Sequence, residues 1–137
     1  MSGSIPSRPA LVLKLAWLRY GPGNAAAVRA AHQQPVSTTR NADELEWLSA
    51  VAGAIRLAAR WVPGSRCLDR SLALHHFAHA RGVLAALRLG VRRLPDGQVT
   101  AHAWITLAGE PIGEDPAALS TLLPLDPGID RGTLPFD

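Results

Sequence analysis

The feature that most limits what this chain can become is a change of hydrophobic period near residue 83. Upstream, apolar residues recur three and four positions apart, the spacing that puts them on one face of an α-helix. Downstream they alternate, the spacing of a half-buried strand. Glycine and proline cut the helical half into pieces at Gly21-Pro22-Gly23, Pro35 and Pro63-Gly64. The pattern predicts helices over residues 9–20, 24–34 and 42–61, the last with Leu45, Leu48, Val51, Ile55, Leu57 and Ala59 in its apolar stripe. Asn24 suits the start of the second helix. Ser65 suits the cap of a fourth, which begins at Arg66-Cys67, turns Leu68, Leu72, Leu74, Phe77 and Ala78 inward, and closes at Gly82. Strands are expected over 83–92 and 99–107 around a Pro95-Asp96-Gly97 turn, with a short third strand at 111–112 after Ala108-Gly109. Beyond Asp115 no period is clear. Helices packed on one face of a small antiparallel sheet give an α+β class.

At 137 residues the expectation is one domain spanning 1–137, with a helical part (about 9–62), a cysteine helix plus sheet (about 63–115) and a C-terminal segment (116–137). The formal net charge of +3 is scattered rather than gathered into a basic block, and aromatic residues make up 5%, which argues against a nucleic-acid partner. A single cysteine precludes an internal disulfide framework. The apolar run from Ala10 to Leu18 is broken by Lys14 and is far shorter than the roughly 20 residues a membrane span needs. It also lacks the basic flank and cleavage site of a signal peptide. A cytoplasmic protein without membrane attachment is expected.

Cys67 falls at the predicted start of a helix after a Pro-Gly-Ser turn. The thiolate is the attacking form of cysteine, and a helix N-terminus offers unpaired N–H groups and partial positive charge to stabilise it. The same N–H groups can hold an oxyanion. Against this stands the packing of a lone cysteine as a small hydrophobe. His102, in Thr100-Ala101-His102-Ala103-Trp104, is the base available to Cys67, on a strand where Thr100, His102 and Trp104 share one face. A cysteine–histidine pair needs a third group to orient the imidazole, and Glu114 and Asp115 are the carboxylates that an antiparallel return would bring back. His75 and His79, four apart on the cysteine helix with His76 between, have a metal-ligand spacing. They lack the intervening glutamate of a zinc peptidase, and Cys67 lies roughly 12 Å up the helix. They are read as surface or interface histidines, and no metal or cofactor is expected. Arg70 is expected to anchor a carboxylate or the C-terminal segment, and Trp61 to be a core residue.

Taken together, Cys67-Leu68-Asp69-Arg70-Ser71-Leu72-Ala73-Leu74, Arg81-Gly82, Leu87-Arg88-Leu89-Gly90-Val91 and Ala101-His102-Ala103-Trp104 resemble the leader-cleaving peptidase of lasso-peptide biosynthesis. The resemblance covers about residues 61–115 and, more weakly, the helical half. It implies a transglutaminase-like (papain-like) core and a Cys–His–acid triad that removes the leader from a ribosomal precursor peptide before an asparagine-synthetase-like cyclase closes a macrolactam. Cys67 then matches the nucleophile and His102 the base. The acid register, about a dozen residues after the histidine, falls on Glu114 with Asp115 beside it, although the family acid is typically aspartate. Many relatives carry a winged-helix leader-recognition domain. The sequence leaves no room for one after the core, so a separate leader-recognition protein is the expected partner. A non-catalytic scaffold in the same complex, a transglutaminase- or amidase-type acyl transferase and a metal hydrolase are the competing expectations.

Overall fold

The structure, a computed structural model, describes residues 4–22, 24–125 and 136. Its helices are α1 (Arg8–Tyr20), α2 (Asn24–Gln33), α3 (Ala42–Ala58), α4 (Cys67–Ala80) and the short α5 (Pro116–Leu119). A 3₁₀ turn, Ala59–Trp61, follows α3. The strands are β1 (Ala86–Arg93), β2 (Val99–Leu107), β3 (Glu110–Pro111) and β4 (Leu123–Pro124), in an antiparallel sheet of order β3-β2-β1-β4. The class is α+β, as the change of period predicts.

Local chemistry starts and stops the helices. The Ser7 hydroxyl accepts the Ala10 N–H, and the Asn41 side chain accepts those of Asp43 and Glu44. Leu11, Leu15 and Leu18 of α1 are buried, as are Leu48, Val51 and Ile55 of α3. The α3 stripe is narrower than expected: Leu57, still within the helix, lies off the face that buries Ile55 and Ala58 and is 56% exposed, and Trp61, in the 3₁₀ turn that follows, is 67% exposed. Trp61 is therefore a surface side chain and not a core one. α4 contacts α1, α2, α3, β1 and β2, so residues on almost every side of its first three turns are buried. A helix enclosed in this way needs no single apolar stripe.

The hairpin joining β1 to β2 keeps one register along its whole length, from Ala86 opposite Thr106 to Arg93 opposite Val99. Ala101, Ala103, Ile105 and Leu107 turn toward the helices and are buried, whereas Thr100, His102 and Trp104 occupy the other face, half-buried. Ala108 and Gly109 both take positive φ, 51° and 82°, in the tight turn that returns the chain to β3. β1 starts three residues later than expected and β3 one residue earlier. Two small elements fall where the sequence shows no period. Asp115 caps α5, and β4 pairs with Gly90 and Val91 of β1. At Gly90 an added Cβ would lie 2.9 Å from Leu122 and 3.3 Å from Trp104, so the bare backbone lets the C-terminal segment seat against β1.

Candidate active site

The site forms where the start of α4 meets β2 at Ala103, between short β3 and the bridge from Ala101 to Phe136. β3 pairs only with Thr106 and Leu107, so among the described residues no strand pairs with the main chain of Ala103 on that side. α4 supplies the partners. The Ala103 N–H donates to Cys67 Sγ (3.3 Å), and the Ala103 carbonyl accepts from Ser71 Oγ (3.0 Å). Cys67 and Ser71 stand four apart on one helix face, so a single turn of α4 satisfies both groups of one buried strand residue. This contact also fixes the thiol beside the residue that follows His102. An N–H donated to sulfur strengthens as the sulfur becomes negative.

The start of α4 departs from the expectation. Ser65 is not its cap. Arg66 holds the cap position, and its backbone N–H donates to the Asp69 carboxylate (2.9 Å) three residues on. Asp69 is 0% exposed. It also accepts from the Asn24 amide at 3.1 Å and lies 3.4 Å from Arg66 Nε. The buried carboxylate thus ties the cysteine helix to α2 and offsets the Arg66 charge. Asp69, Asn24 and Ser71 were not picked out as site residues from the sequence. The one legible signal was the spacing Arg66-x-x-Asp69, a helix start with an acid at the third position.

His102 Nε2 lies 2.9 Å from Glu114 Oε1, both side chains being partly exposed. With a carboxylate as acceptor, the shared proton belongs to the imidazole nitrogen. Trp104 stacks on His102 with ring centroids 5.8 Å apart and planes 17° from parallel, which fixes the ring's tilt. Glu114 follows Gly113 (φ 70°), whose carbonyl accepts from Arg56 of α3 at 3.3 Å, so α3 holds the turn that presents the acid. Asp115 goes elsewhere. Its carboxylate accepts the Ala117 N–H at the start of α5 (3.0 Å). Cys67, Arg70, Ser71 and Leu74 of α4 line a cleft together with Ile55 and Arg56 of α3, Trp104 and Glu114. Arg70 donates to the Ser65 carbonyl (3.3 Å) and is in no ion pair with a carboxylate among the described residues; the C-terminal segment expected to meet it lies in part outside them.

The histidines at the far end of α4 are organised differently. His75 and His79 stack in parallel, 6.4 Å between centroids and 7° between planes. His75 is 7% exposed, a buried rather than a surface residue. Burial pushes its pKa below the ordinary 6.5, and the neighbouring charges of His79, His32 and His76 push the same way. His76 is lowered by desolvation, then by Lys14 and His79. Among the described residues, no three His, Cys, Asp or Glu side chains group closely enough to hold a metal ion. No helix among them is long and apolar enough to cross a membrane.

The start of α4 thus bonds Cys67 to the strand that carries His102, whose ring is paired with Glu114 from the turn after β3. Residues 10–125 match the transglutaminase-like superfamily, and the chain belongs to it. That superfamily includes cysteine peptidases and acyl transferases on a shared fold. No curated protein and no solved structure matches the chain significantly.

Proposed function

We propose that this protein is a cysteine peptidase that cuts the leader from a ribosomally made lasso-peptide precursor, working with a separate leader-recognition protein and an asparagine-synthetase-like cyclase. The observation that carries the chemistry is the convergence of Cys67 Sγ on the Ala103 N–H with His102 next along the strand and Glu114 on its Nε2. The lasso-peptide substrate and both partners rest on the motif resemblance around Cys67 and His102.

With Nε2 engaged by Glu114, Nδ1 is the nitrogen through which His102 takes the thiol proton. The thiolate adds to the scissile carbonyl, forming a C–S bond. The resulting oxyanion is received by main-chain N–H groups at the start of α4, that of Cys67 foremost. His102 then returns the proton to the leaving amine as the C–N bond breaks, leaving a thioester on Cys67. Water, deprotonated by His102, hydrolyses the thioester and releases the leader carboxylate. Glu114 orients the imidazole through these steps.

One observation favours a second reading. Cys67 is only 3% exposed, which fits a non-catalytic scaffold in the same complex whose thiol merely packs. The test is to incubate the protein with a precursor peptide and a leader-recognition protein and follow masses. Peptidase chemistry predicts one discrete cut between leader and core. An uncut precursor that still forms a complex with both proteins supports the scaffold.

A further inference from the structure

The cleft beside Cys67 carries more positive charge than the triad chemistry uses. Arg56 of α3 and Arg70 of α4 both line it. Each spends one N–H on a main-chain carbonyl, Arg56 on Gly113 and Arg70 on Ser65. A guanidinium has five N–H donors, and a carbonyl contact leaves its charge uncompensated. Arg66 contrasts with them, because its Nε lies 3.4 Å from the Asp69 carboxylate. Among the described residues neither Arg56 nor Arg70 is in an ion pair, and the only carboxylate lining the cleft, Glu114, is bonded to His102. A proton moving between Cys67 and His102 leaves that pair's total charge unchanged. Two arginines against Glu114 therefore leave the cleft with one net positive charge throughout. Its apolar contributions, Ile55, Leu74 and Ile112, suit a short methylene stem rather than a second charged group.

We propose that Arg56 and Arg70 make this cleft a specificity pocket for a carboxylate-bearing side chain, an aspartate or glutamate of the peptide lying close to the bond that Cys67 attacks. The inference rests on the proposed peptidase reading for its substrate, and on the two arginines alone for its charge preference. A planar guanidinium binds a carboxylate through paired N–H donors, a geometry that no neutral side chain reproduces.

The test separates these two supports by using no peptide. Cys67 is the chain's single cysteine, so its alkylation by iodoacetate (anionic) and iodoacetamide (neutral) can be followed by intact mass, a C–S bond forming as iodide leaves. The quantity is the iodoacetate-to-iodoacetamide rate ratio, divided by the same ratio for N-acetylcysteine. A focused positive cleft raises local anion concentration and encounter rates by 10-fold or more, so a normalised ratio of about 10 is expected at low salt. It should fall toward unity in about 1 M NaCl, where the screening length is about 3 Å. Arg70→Gln should lower it about threefold or more and Arg70→Lys should largely retain it, with far-UV circular dichroism and the melting temperature confirming that each variant is folded. Arg56→Gln should act in the same direction. A ratio near unity in the wild type, a ratio insensitive to both glutamine variants, or labelling only in denaturant would overturn the pocket. A raised, arginine-dependent ratio in a protein that cuts no precursor would keep the pocket and remove the peptidase reading.

Discussion

The two ends of α4 carry the same kinds of residue and use them differently. At its start, Cys67 and Ser71 bind the main chain of β2 at Ala103, next to a histidine paired with a carboxylate. At its far end, His75 and His79 face each other across one turn with no carboxylate partner among the described residues, and burial holds His75 toward its neutral form. Titratable side chains acquire chemistry from what they touch, and spacing along a helix alone does not supply it. His75 and His79 have a ligand-like spacing but no third donor, whereas His102 acquired its partner from twelve residues away through a tight turn.

Changes at the two ends should therefore separate activity from stability. The largest effect is expected from His102→Ala, which removes the base: precursor cleavage should fall by about 10²–10⁴-fold, with a melting temperature close to wild type. A variant that cuts at the wild-type rate would mean that His102 is only a packed strand residue. Asp69→Ala sharpens the contrast from the other side. It removes the acceptor of the part-buried Arg66 N–H and one of the two acceptors of the Asn24 amide, and should cost about 3 kcal/mol in urea denaturation. Loss of less than about 1 kcal/mol would show that the buried carboxylate does not fasten the cysteine helix. Glu114→Gln keeps a hydrogen-bond acceptor but not the charge, so turnover should drop about 10–100-fold, while Asp115→Asn, which only caps α5, should leave turnover within about threefold. An equal loss in both would undo the assignment of the acid.

Much of this arrangement was legible in the sequence, for reasons that can be named. The glycine and proline breakers fix where α1 and α3 begin or end, because backbone geometry forbids alternatives there. The two-residue Ala108-Gly109 turn sets the β2–β3 register and with it the approach of Glu114, rather than Asp115, to His102. The Asp69 tether was hidden, since a buried carboxylate is recognised by partners such as Asn24 that are distant in sequence. Leu57 and Trp61 are apolar yet exposed for two reasons: Leu57 lies off the helix face that buries Ile55 and Ala58, and Trp61 lies past the end of α3, where the chain tightens into a 3₁₀ turn. Beyond Asp115, α5 and β4 are too short to show a period, and their placement depends on the bare backbone at Gly90.

The smallest expected effect belongs to the far end of α4. The folded-state pKa of His75 is lowered, so the unfolded chain binds its proton more readily than the folded one. Its contribution to stability is thus present above the ordinary value near 6.5 and lost as pH falls below it. Thermal melts between pH 7.5 and 5 should show a declining melting temperature, and His75→Leu should flatten that decline without changing cleavage at pH 7.5. An unchanged pH profile in the variant would place the acid sensitivity elsewhere.

The central claim is that Cys67 is a nucleophile and not packing, and Cys67→Ala tests it most directly. Wild-type protein and the variant, matched by circular dichroism and melting temperature, are incubated with the precursor peptide and the leader-recognition protein, and the products are weighed by mass spectrometry. The predicted result is one leader–core cut with the wild type and none with the variant. Cleavage by the folded Cys67→Ala protein at a rate near wild type would contradict it.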